Sequence, residues 1–220
     1  MNLEIQDFDA VIFDMDGVLI DSEPLWKIAM EEVFSKLGST LTKSDFQKTV
    51  GLRIDEVIHF WNLHENWGVT DESEVEEQII AAMEKLISEN PLPLPGVIDT
   101  LEYLQSINIP IGLATSSSSR LIRVVVESLN IKSYFTFTHS AELEHFGKPH
   151  PAVYLSVAKK LIVYPEKCLV LEDSVNGIIA GKAAKMKVVC IPEKTHLVDP
   201  RIILADFQFD TMSAFLETIR

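Results

Sequence analysis

The order of apolar and polar residues along the chain predicts alternating strands and helices. Residues 9–13 (DAVIF) form a short apolar run with β-branched members, which is typical of a strand buried on both faces. The same kind of run recurs at 109–115, 134–139, 168–173 and 188–191. Between these runs, apolar residues recur at helical spacing, at 119–129, 151–161 and 177–186. The alternation predicts an α/β fold with a doubly wound, Rossmann-like parallel sheet.

The chain between the first two predicted strands has a purely helical pattern. Apolar residues recur every three or four positions in stretches that begin near Ser22, Thr42, Ile54 and Val75. Ser22 stands where a helix N-cap is expected. The proline-rich segment at 90–96 (NPLPLPG) is a stiff connector and marks a boundary. We therefore predict a helical insertion at 19–89 within a core made of residues 1–18 and 90–220.

Composition narrows the class of protein. The chain has 220 residues, 47% of them hydrophobic and 24% charged, which is typical of a soluble globular protein and excludes disorder as its main state. Its net charge of −14 repels nucleic acid and anionic lipid surfaces, so we expect neither nucleic acid nor a membrane as a partner.

Targeting signals and cysteines bear on the compartment. The N-terminal residues have no signal-peptide features, and no apolar stretch reaches the length that spans a bilayer. Cys168 and Cys190 lie in apolar runs, which favours buried, inert thiols in a reducing compartment. We therefore expect a cytoplasmic protein. The sequence carries no signal for oligomeric state, and a monomer is favoured.

Two carboxylates directly follow the first predicted strand. Ligands of doubly wound sheets bind at the carboxyl ends of the strands, so this position is a candidate site. Asp14 and Asp16 lie two residues apart, and Gly17 lets the chain turn sharply after them. Such close like charges either belong to a solvated acidic turn or hold a cation between them. Taken alone, the pair leaves both interpretations open.

Three further junctions between strands and helices carry polar residues. Thr115 ends the second strand, and the four serines at 116–119 offer either an anion-binding nest or a simple helix cap. Lys148 lies in a stiff loop, GKPHP, where a lone lysine is ordinarily a solvated charge. Glu172 and Asp173 end the strand CLVLED. Each of these motifs alone is non-specific.

The four junctions together predict one chemistry. Hard oxygen ligands without histidine or cysteine suit Mg²⁺, which keeps water or phosphate oxygens in its coordination shell. A lysine and a hydroxyl nest at the same sheet edge would hold the remaining charge of a phosphate dianion. The combination predicts phosphoryl transfer through an aspartyl-phosphate, with Mg²⁺ as the cofactor.

In these motifs the chain resembles the haloacid dehalogenase-like hydrolase superfamily. The four motifs of that family correspond in order to Asp14/Asp16, Thr115, Lys148 and Glu172/Asp173. The similarity covers nearly the whole chain and extends to the branch that contains β-phosphoglucomutase, and more closely to bacterial hexitol-phosphate and 2-deoxyglucose-6-phosphate phosphatases. It is carried there by DMDGVLIDSEPLW, GLRID, LPGV, KPHPAVY and LEDSVNG. The resemblance implies a five- or six-stranded core with residues 19–89 as a helical cap domain.

The resemblance also implies roles for individual residues. Asp14 would be the nucleophile and Asp16 the general acid and base. Lys148 would orient Asp14 and neutralise phosphate charge. Thr115 and the backbone of Ser116 would bind phosphate oxygens.

A metal site is implied by the same comparison. Asp14, the carbonyl of Asp16 and Asp173 would ligate Mg²⁺, with Glu172 either a direct ligand or a support for one. Arg53 in GLRID is a further candidate, because an arginine in an acidic protein suits an anionic or polyhydroxyl substrate. The alternative for Arg53 is an ion pair with the acidic residues that follow it at 55–56.

One departure from the family pattern bears on the reaction. β-Phosphoglucomutases carry a histidine shortly after the first motif, associated with holding back the acid/base group until the right sugar binds, and Trp26 stands at the corresponding position here. An indole does not titrate, so we expect Asp16 to be free to activate water. The sequence therefore predicts a Mg²⁺-dependent phosphatase that acts on a small sugar or polyol phosphate. A phosphosugar mutase of the β-phosphoglucomutase type is the alternative.

Overall fold

A six-stranded parallel sheet forms the centre of the computed structural model, which describes residues 3–42, 45–192 and 199–220. The strands are β1 (Ala10–Phe13), β2 (Ile111–Thr115), β3 (Phe137–Ser140), β4 (Cys168–Glu172), β5 (Lys187–Cys190) and β6 (Phe207–Gln208). They lie in the order β3-β2-β1-β4-β5-β6, and every neighbouring pair is parallel. The strand order reverses between β1 and β4, so the crevice of a doubly wound sheet opens there.

The predicted α/β class is confirmed, and the reason lies in the burial of the strands. All four residues of β1 are completely buried, as is the whole of β4. In register, Ile12 pairs with Gly112 on one side and with Val170 on the other. Two apolar clusters, one on each face of the sheet, cover these strands. Such two-sided burial explains the continuous apolar runs in the sequence.

Within the described ranges, five helices pack around the sheet. They are α4 (Val97–Ser106), α5 (Ser119–Ser128), α6 (Ala152–Leu161), α7 (Val175–Ala183) and α8 (Met212–Ile219). Of these, α4 and α8 are absent from the predictions above although both are amphipathic, and β6, with two residues, is too short to give a pattern. No helix in the described part of the chain is long and apolar enough to cross a membrane.

In the described part of 19–89, three of the four predicted helical stretches form α-helices, and the stretch near Thr42 forms only a short 3-10 helix. The α-helices are α1 (Glu23–Lys36), α2 (Ile54–Glu65) and α3 (Ser73–Glu89), joined by a short 3-10 helix at Phe46–Thr49. We call this set the helical block. Within it α1 and α2 pack on α3, and α3 packs on α5 of the core. Its division from the rest as a separate domain at 19–89 stays a prediction.

Two further expectations concern single residues. The hydroxyl of Ser22 does not cap α1, because it donates instead to a carboxylate oxygen of Asp16. The prediction of inert thiols fits the structure, since Cys168 and Cys190 are both buried and burial raises the pKa of each to about 12.

Candidate active site

The carboxyl ends of three strands meet at one edge of the sheet, which we call the sheet rim. Asp14 follows β1 and Thr115 ends β2. Glu172 ends β4, and Asp173 follows it. Oxygen atoms of Asp14, Glu172 and Asp173 all lie within 4.8 Å of one another. A cavity opens above the rim, and its lining includes the predicted residues Asp14, Asp16, Thr115, Ser116 and Asp173. Parallel strand order therefore brings together residues that are up to 159 positions apart in the sequence.

Gly17 allows the loop after β1 to approach the loop after β4. Its φ of +70° belongs to the left-handed region, which glycine adopts without strain. A Cβ at this position would lie only 2.1 Å from Oδ2 of Asp173. The sharp turn expected after the first motif is present. The missing side chain of Gly17 also leaves room for the Asp173 carboxylate.

Lys148 is not the solvated charge that its motif alone would suggest. Its side chain is 1% exposed, and its Nζ lies 2.7 Å from Oε1 of Glu172 and 3.0 Å from Oδ1 of Asp14. The same nitrogen donates to the carbonyl of Ala114 at 3.2 Å. A buried ammonium needs compensating charge, and two carboxylates supply it here. Lys148 thus links the carboxyl end of β2 with the carboxyl ends of β1 and β4.

Glu172 is fully buried and both of its carboxylate oxygens accept several hydrogen bonds. Oε1 accepts from Lys148 and, at 2.6 Å, from the hydroxyl of Tyr154. Oε2 accepts from the backbone N–H groups of Asp173 and Ser174 and from the Ser174 hydroxyl, each at 3.0 Å. These five donors occupy the carboxylate, so it holds Lys148 in place and has little capacity left for a metal ion.

Electrostatics at the rim reflect the crowding of buried carboxylates. Burial raises the pKa of Asp14 to about 7, and the charges of Glu172 and Asp16 add to the rise while Lys148 opposes it. Burial also raises the pKa of Asp173 well above its usual range, with contributions from Glu172 and Asp14. Burial acts in the same direction on Glu172, but the adjacent Lys148 keeps the pKa of that carboxyl below its usual value. A cation bound between Asp14 and Asp173 would relieve their repulsion.

The donor set at the rim fits a hard divalent cation. The carboxylates of Asp14 and Asp173 both face the cavity, and Lys148 pairs with Asp14 at Oδ1. Among the described residues, neither histidine nor cysteine belongs to the cluster. Carboxylate oxygens without softer ligands are what Mg²⁺ prefers.

Asp16 is held by four hydroxyl or indole donors. Oδ1 accepts from the Ser22 hydroxyl at 2.5 Å and from Nε1 of Trp26 at 3.1 Å. Oδ2 accepts from the Ser117 hydroxyl at 2.6 Å and from the Thr115 hydroxyl at 3.4 Å. The expectation that Trp26 leaves Asp16 free is therefore wrong for this conformation. An indole N–H cannot titrate, yet it can still donate to a carboxylate, and that interaction decides the outcome here.

The serine run serves three different purposes. Ser118 is the N-cap of α5 and accepts a hydrogen bond from the backbone of Leu121. Ser117 donates to Asp16, whereas Ser116 donates across to the carbonyl of Gly51 in the helical block, at 2.9 Å. The helix cap that the sequence left open is therefore present at Ser118, and the anion-binding nest stays a prediction.

Arg53 does not line the cavity. It stands at the N-cap of α2, and its Nη1 donates to the carbonyls of Ala141 and Glu144 in the core, at 3.1 and 3.0 Å. Its Nη2 pairs with Asp55 at 2.9 Å and lies 3.7 Å from Glu56. The substrate contact of Arg53 stays a prediction, since the guanidinium here donates to carbonyls of the adjacent core loop. The predicted alternative, an ion pair with the following acidic residues, is present.

Several residues of the site were not found from the sequence. Tyr154, Ser22 and Ser117 bond directly to Glu172 or Asp16, and Glu23 lines the cavity. Ser22 and Glu23 lie within the motif DMDGVLIDSEPLW, so their nearness to Asp16 in sequence was the available signal. Tyr154 lies six residues after Lys148, and only the packing of α6 on the sheet shows that it turns inward.

Comparison with known proteins gives a consistent result. The family model described as haloacid dehalogenase-like hydrolase matches residues 11–191. Hexitol phosphatase B of Escherichia coli (strain K12) is 40% identical over 205 residues, which cover 93% of this chain and 92% of the relative. A phosphorylated carbohydrates phosphatase of Thermotoga maritima is 35% identical, covering 80% of this chain and 81% of the relative.

A solved structure resembles the whole chain. The β-phosphoglucomutase of Clostridium difficile superimposes with a TM-score of 0.86 at 26% identity, and the match covers 96% of both chains. This similarity extends over the sheet, its surrounding helices and the helical block together.

Proposed function

The chain belongs to the haloacid dehalogenase-like hydrolases, and on that premise we propose that it is a Mg²⁺-dependent phosphatase of small sugar or polyol phosphates. The single observation that carries the proposal is the placement of Asp14 at the cavity floor, 3.0 Å from the buried Lys148 and beside Asp173. Two relatives named as phosphatases of hexitols or phosphorylated carbohydrates support the choice of substrate.

Asp14 is the proposed nucleophile. One of its oxygens attacks phosphorus, the bond between phosphorus and the sugar oxygen breaks, and an aspartyl-phosphate forms. Lys148 offsets charge on Asp14 and on the phosphoryl group. Thr115 and the backbone at Ser116, which face the same cavity, are the proposed contacts for phosphate oxygens.

Asp16 is the proposed proton carrier. It gives a proton to the departing sugar oxygen and then takes one from the water that attacks the aspartyl-phosphate, which releases inorganic phosphate and restores Asp14. Ser22, Ser117 and Trp26 hold its carboxylate in a fixed orientation. For the proton to reach the substrate, Asp16 must exchange at least one of these partners.

Asp14, Asp173 and the carbonyl of Asp16 are the proposed ligands of Mg²⁺. When bound, the ion supplies positive charge that the transferring phosphoryl group requires. Glu172 is assigned a supporting role, because its five donors leave it committed to Lys148 and to the turn after β4. Residues 19–89 are the proposed cap over the site, and the cavity between them and the sheet rim is the proposed binding site.

A phosphosugar mutase is the second candidate, favoured by the likeness to β-phosphoglucomutase. The two reactions share the first step and differ in whether water or a sugar hydroxyl takes the phosphoryl group.

The test is a panel of phosphorylated hexoses, hexitols and pentoses, scored for phosphate release with Mg²⁺, with EDTA, and with the Asp14→Asn variant. In ¹⁸O-labelled water, a phosphatase places label in the released phosphate and forms no sugar bisphosphate. Accumulation of a bisphosphate or of a positional isomer would identify the mutase. Release of phosphate that persists in EDTA would contradict the metal requirement.

A further inference from the structure

The helical block presents an apolar surface to the cavity. Seven of its residues that line the cavity are hydrophobic: Trp26, Met30, Phe46, Val50, Leu52, Ile54 and Val57. Thr49 and Glu23 are the polar side chains that the block adds to the lining. A surface of this kind can pack against the carbon skeleton of a substrate, but it provides no counter-ion for a charged group.

The charge around the cavity is of one sign. Four carboxylates line it, those of Asp14, Asp16, Glu23 and Asp173, and among the residues described no lysine or arginine does. Lys148 pairs with Asp14, and Lys27 lies 3.8 Å from the Glu23 carboxylate. Neither lysine lines the cavity.

Glu23 extends the negative field beyond the reaction centre. It begins α1, its side chain is 15% exposed, and it lines the same cavity as Asp173. With Glu172 included, five carboxylates lie at the site, against four positive charges from Lys148, Lys27 and a bound Mg²⁺. A second anionic group on the substrate would therefore meet repulsion from Glu23 and, among the described residues of the wall, no cation to pair with.

We propose that this cavity is an electrostatic filter that admits phosphomonoesters whose remaining part is uncharged and rejects those with a second phosphate or a carboxylate. The inference rests on the proposed phosphatase function and narrows its substrate class. It also separates this chain from a mutase, because a mutase acting through a sugar bisphosphate has to hold two phosphates in one site. Glu23 is the specificity-determining residue of the filter.

A matched pair of substrates tests the filter directly. Sorbitol 6-phosphate and 6-phosphogluconate differ at C1, where one has CH₂OH and the other a carboxylate. We expect kcat/KM for sorbitol 6-phosphate to be at least about 10-fold higher, since like charges brought together in a binding site cost more than the ~1.4 kcal/mol that corresponds to tenfold. The ratio should fall as KCl is raised from low concentration to about 0.5 M, because salt screens repulsion and leaves steric fit unchanged.

Two substitutions locate the charge effect. Glu23→Gln should lower the ratio of kcat/KM for sorbitol 6-phosphate to kcat/KM for 6-phosphogluconate, because it should raise kcat/KM more for 6-phosphogluconate. Leu52→Lys places a cation on the wall and should lower it further, whereas the uncharged Leu52→Met should keep the wild-type ratio. Leu52 is only partly buried, which favours folding of the lysine variant, and far-ultraviolet circular dichroism checks it.

The outcomes separate this inference from the proposed function. Equal kcat/KM for the two substrates, or a ratio that neither salt nor the charge at position 52 alters, would overturn the filter while leaving the phosphatase intact. Failure to release phosphate from any neutral phosphomonoester would overturn both. The substrate comparison uses the wild-type protein, so it decides the matter even if a variant does not fold.

Discussion

The sheet rim and the helical block face each other across one cavity, and they contribute opposite properties to it. The rim supplies buried carboxylates, a buried lysine and hydroxyls, each fixed by several partners. The block supplies a wall that is mostly apolar, with Glu23 as its charged exception. The contrast indicates a division of labour, in which the rim performs the reaction and the block selects the substrate.

Beside the apolar packing of α3 on α5, several polar contacts join the two regions. Ser116 donates to Gly51, Asn176 to the carbonyl of Val50, and Arg53 to two carbonyls of the core. Where α5 of the core packs on α3 of the block, Arg120 of α5 pairs with two glutamates of α3. Water can replace the partners in polar contacts of this type, whereas Lys148 and its carboxylate partners are buried. Substitutions at the rim should therefore affect rate strongly, and substitutions in the block should affect substrate binding more gently.

The largest effect is expected for Asp14→Asn. An amide is a poor nucleophile but nearly the same size as the carboxylate, so kcat should fall by roughly 10³-fold or more while the fold is retained. Phosphate release and circular dichroism measure the two consequences. Substantial residual turnover would contradict a covalent mechanism at Asp14.

The same substitution should change how stability depends on pH in the metal-free protein. The pKa of Asp14, raised by burial to about 7 from an ordinary 3.8, means that the folded state holds its proton more tightly than the unfolded state. The stability that protonation gives is fully present below about pH 4 and is lost as pH rises to about 7.

Urea unfolding in EDTA at about pH 5 and about pH 7.5 measures this loss. Wild-type protein should lose about 2–3 kcal/mol more over this interval than Asp14→Asn, at ~1.4 kcal/mol for each pH unit. Parallel pH curves for the two proteins would show that Asp14 is not responsible.

Asp173→Ala tests the metal side of the rim. Loss of one carboxylate should raise the Mg²⁺ concentration for half-maximal activity by about 10- to 100-fold. This is the loss of metal affinity that follows mutation of residues hydrogen-bonded to metal ligands. Asp206, a core carboxylate that pairs with Lys182 and Lys187, offers a control in Asp206→Ala. A Mg²⁺ titration that is unchanged in Asp173→Ala would contradict its assignment.

Trp26→Phe tests the point at which the helical block touches the reaction centre. The substitution keeps an aromatic ring and removes the N–H that donates to Asp16. We expect kcat to change by about 3- to 10-fold, the effect of losing one hydrogen bond of roughly 1 kcal/mol while the hydroxyl donors still hold Asp16, with a smaller change in KM. A change confined to KM would show that Trp26 contacts substrate and does not orient Asp16.

Arg53→Ala is expected to have the smallest effect on rate. It removes two hydrogen bonds between the block and the core, so KM should rise by about 2- to 5-fold while the turnover rate changes little. Arg53→Lys should recover part of the loss. A turnover rate lowered by two orders of magnitude or more would instead support the direct substrate contact that the sequence suggested.

Much of the site could be predicted because each motif lies at a strand end. Asp14, Thr115 and Asp173 follow or end buried apolar runs, and the parallel order of those strands places all three at one edge of the sheet. The contacts of Arg53 with Ala141 and Glu144 could not be predicted, because they depend on how the helical block sits on the core, and Trp26 was interpreted wrongly for the same reason.

The sequence by itself determined the α/β class, the positions of the main strands and the chemistry at their ends. These features depend on local periodicity and on residue type, which a linear pattern records. Only the tertiary structure decided that Lys148 is buried between two carboxylates, that Tyr154 bonds Glu172, and that a cavity lined by carboxylates and apolar side chains lies beneath the block. The physical reason is that burial and pairing depend on which distant segments meet, and packing settles that for the whole chain at once.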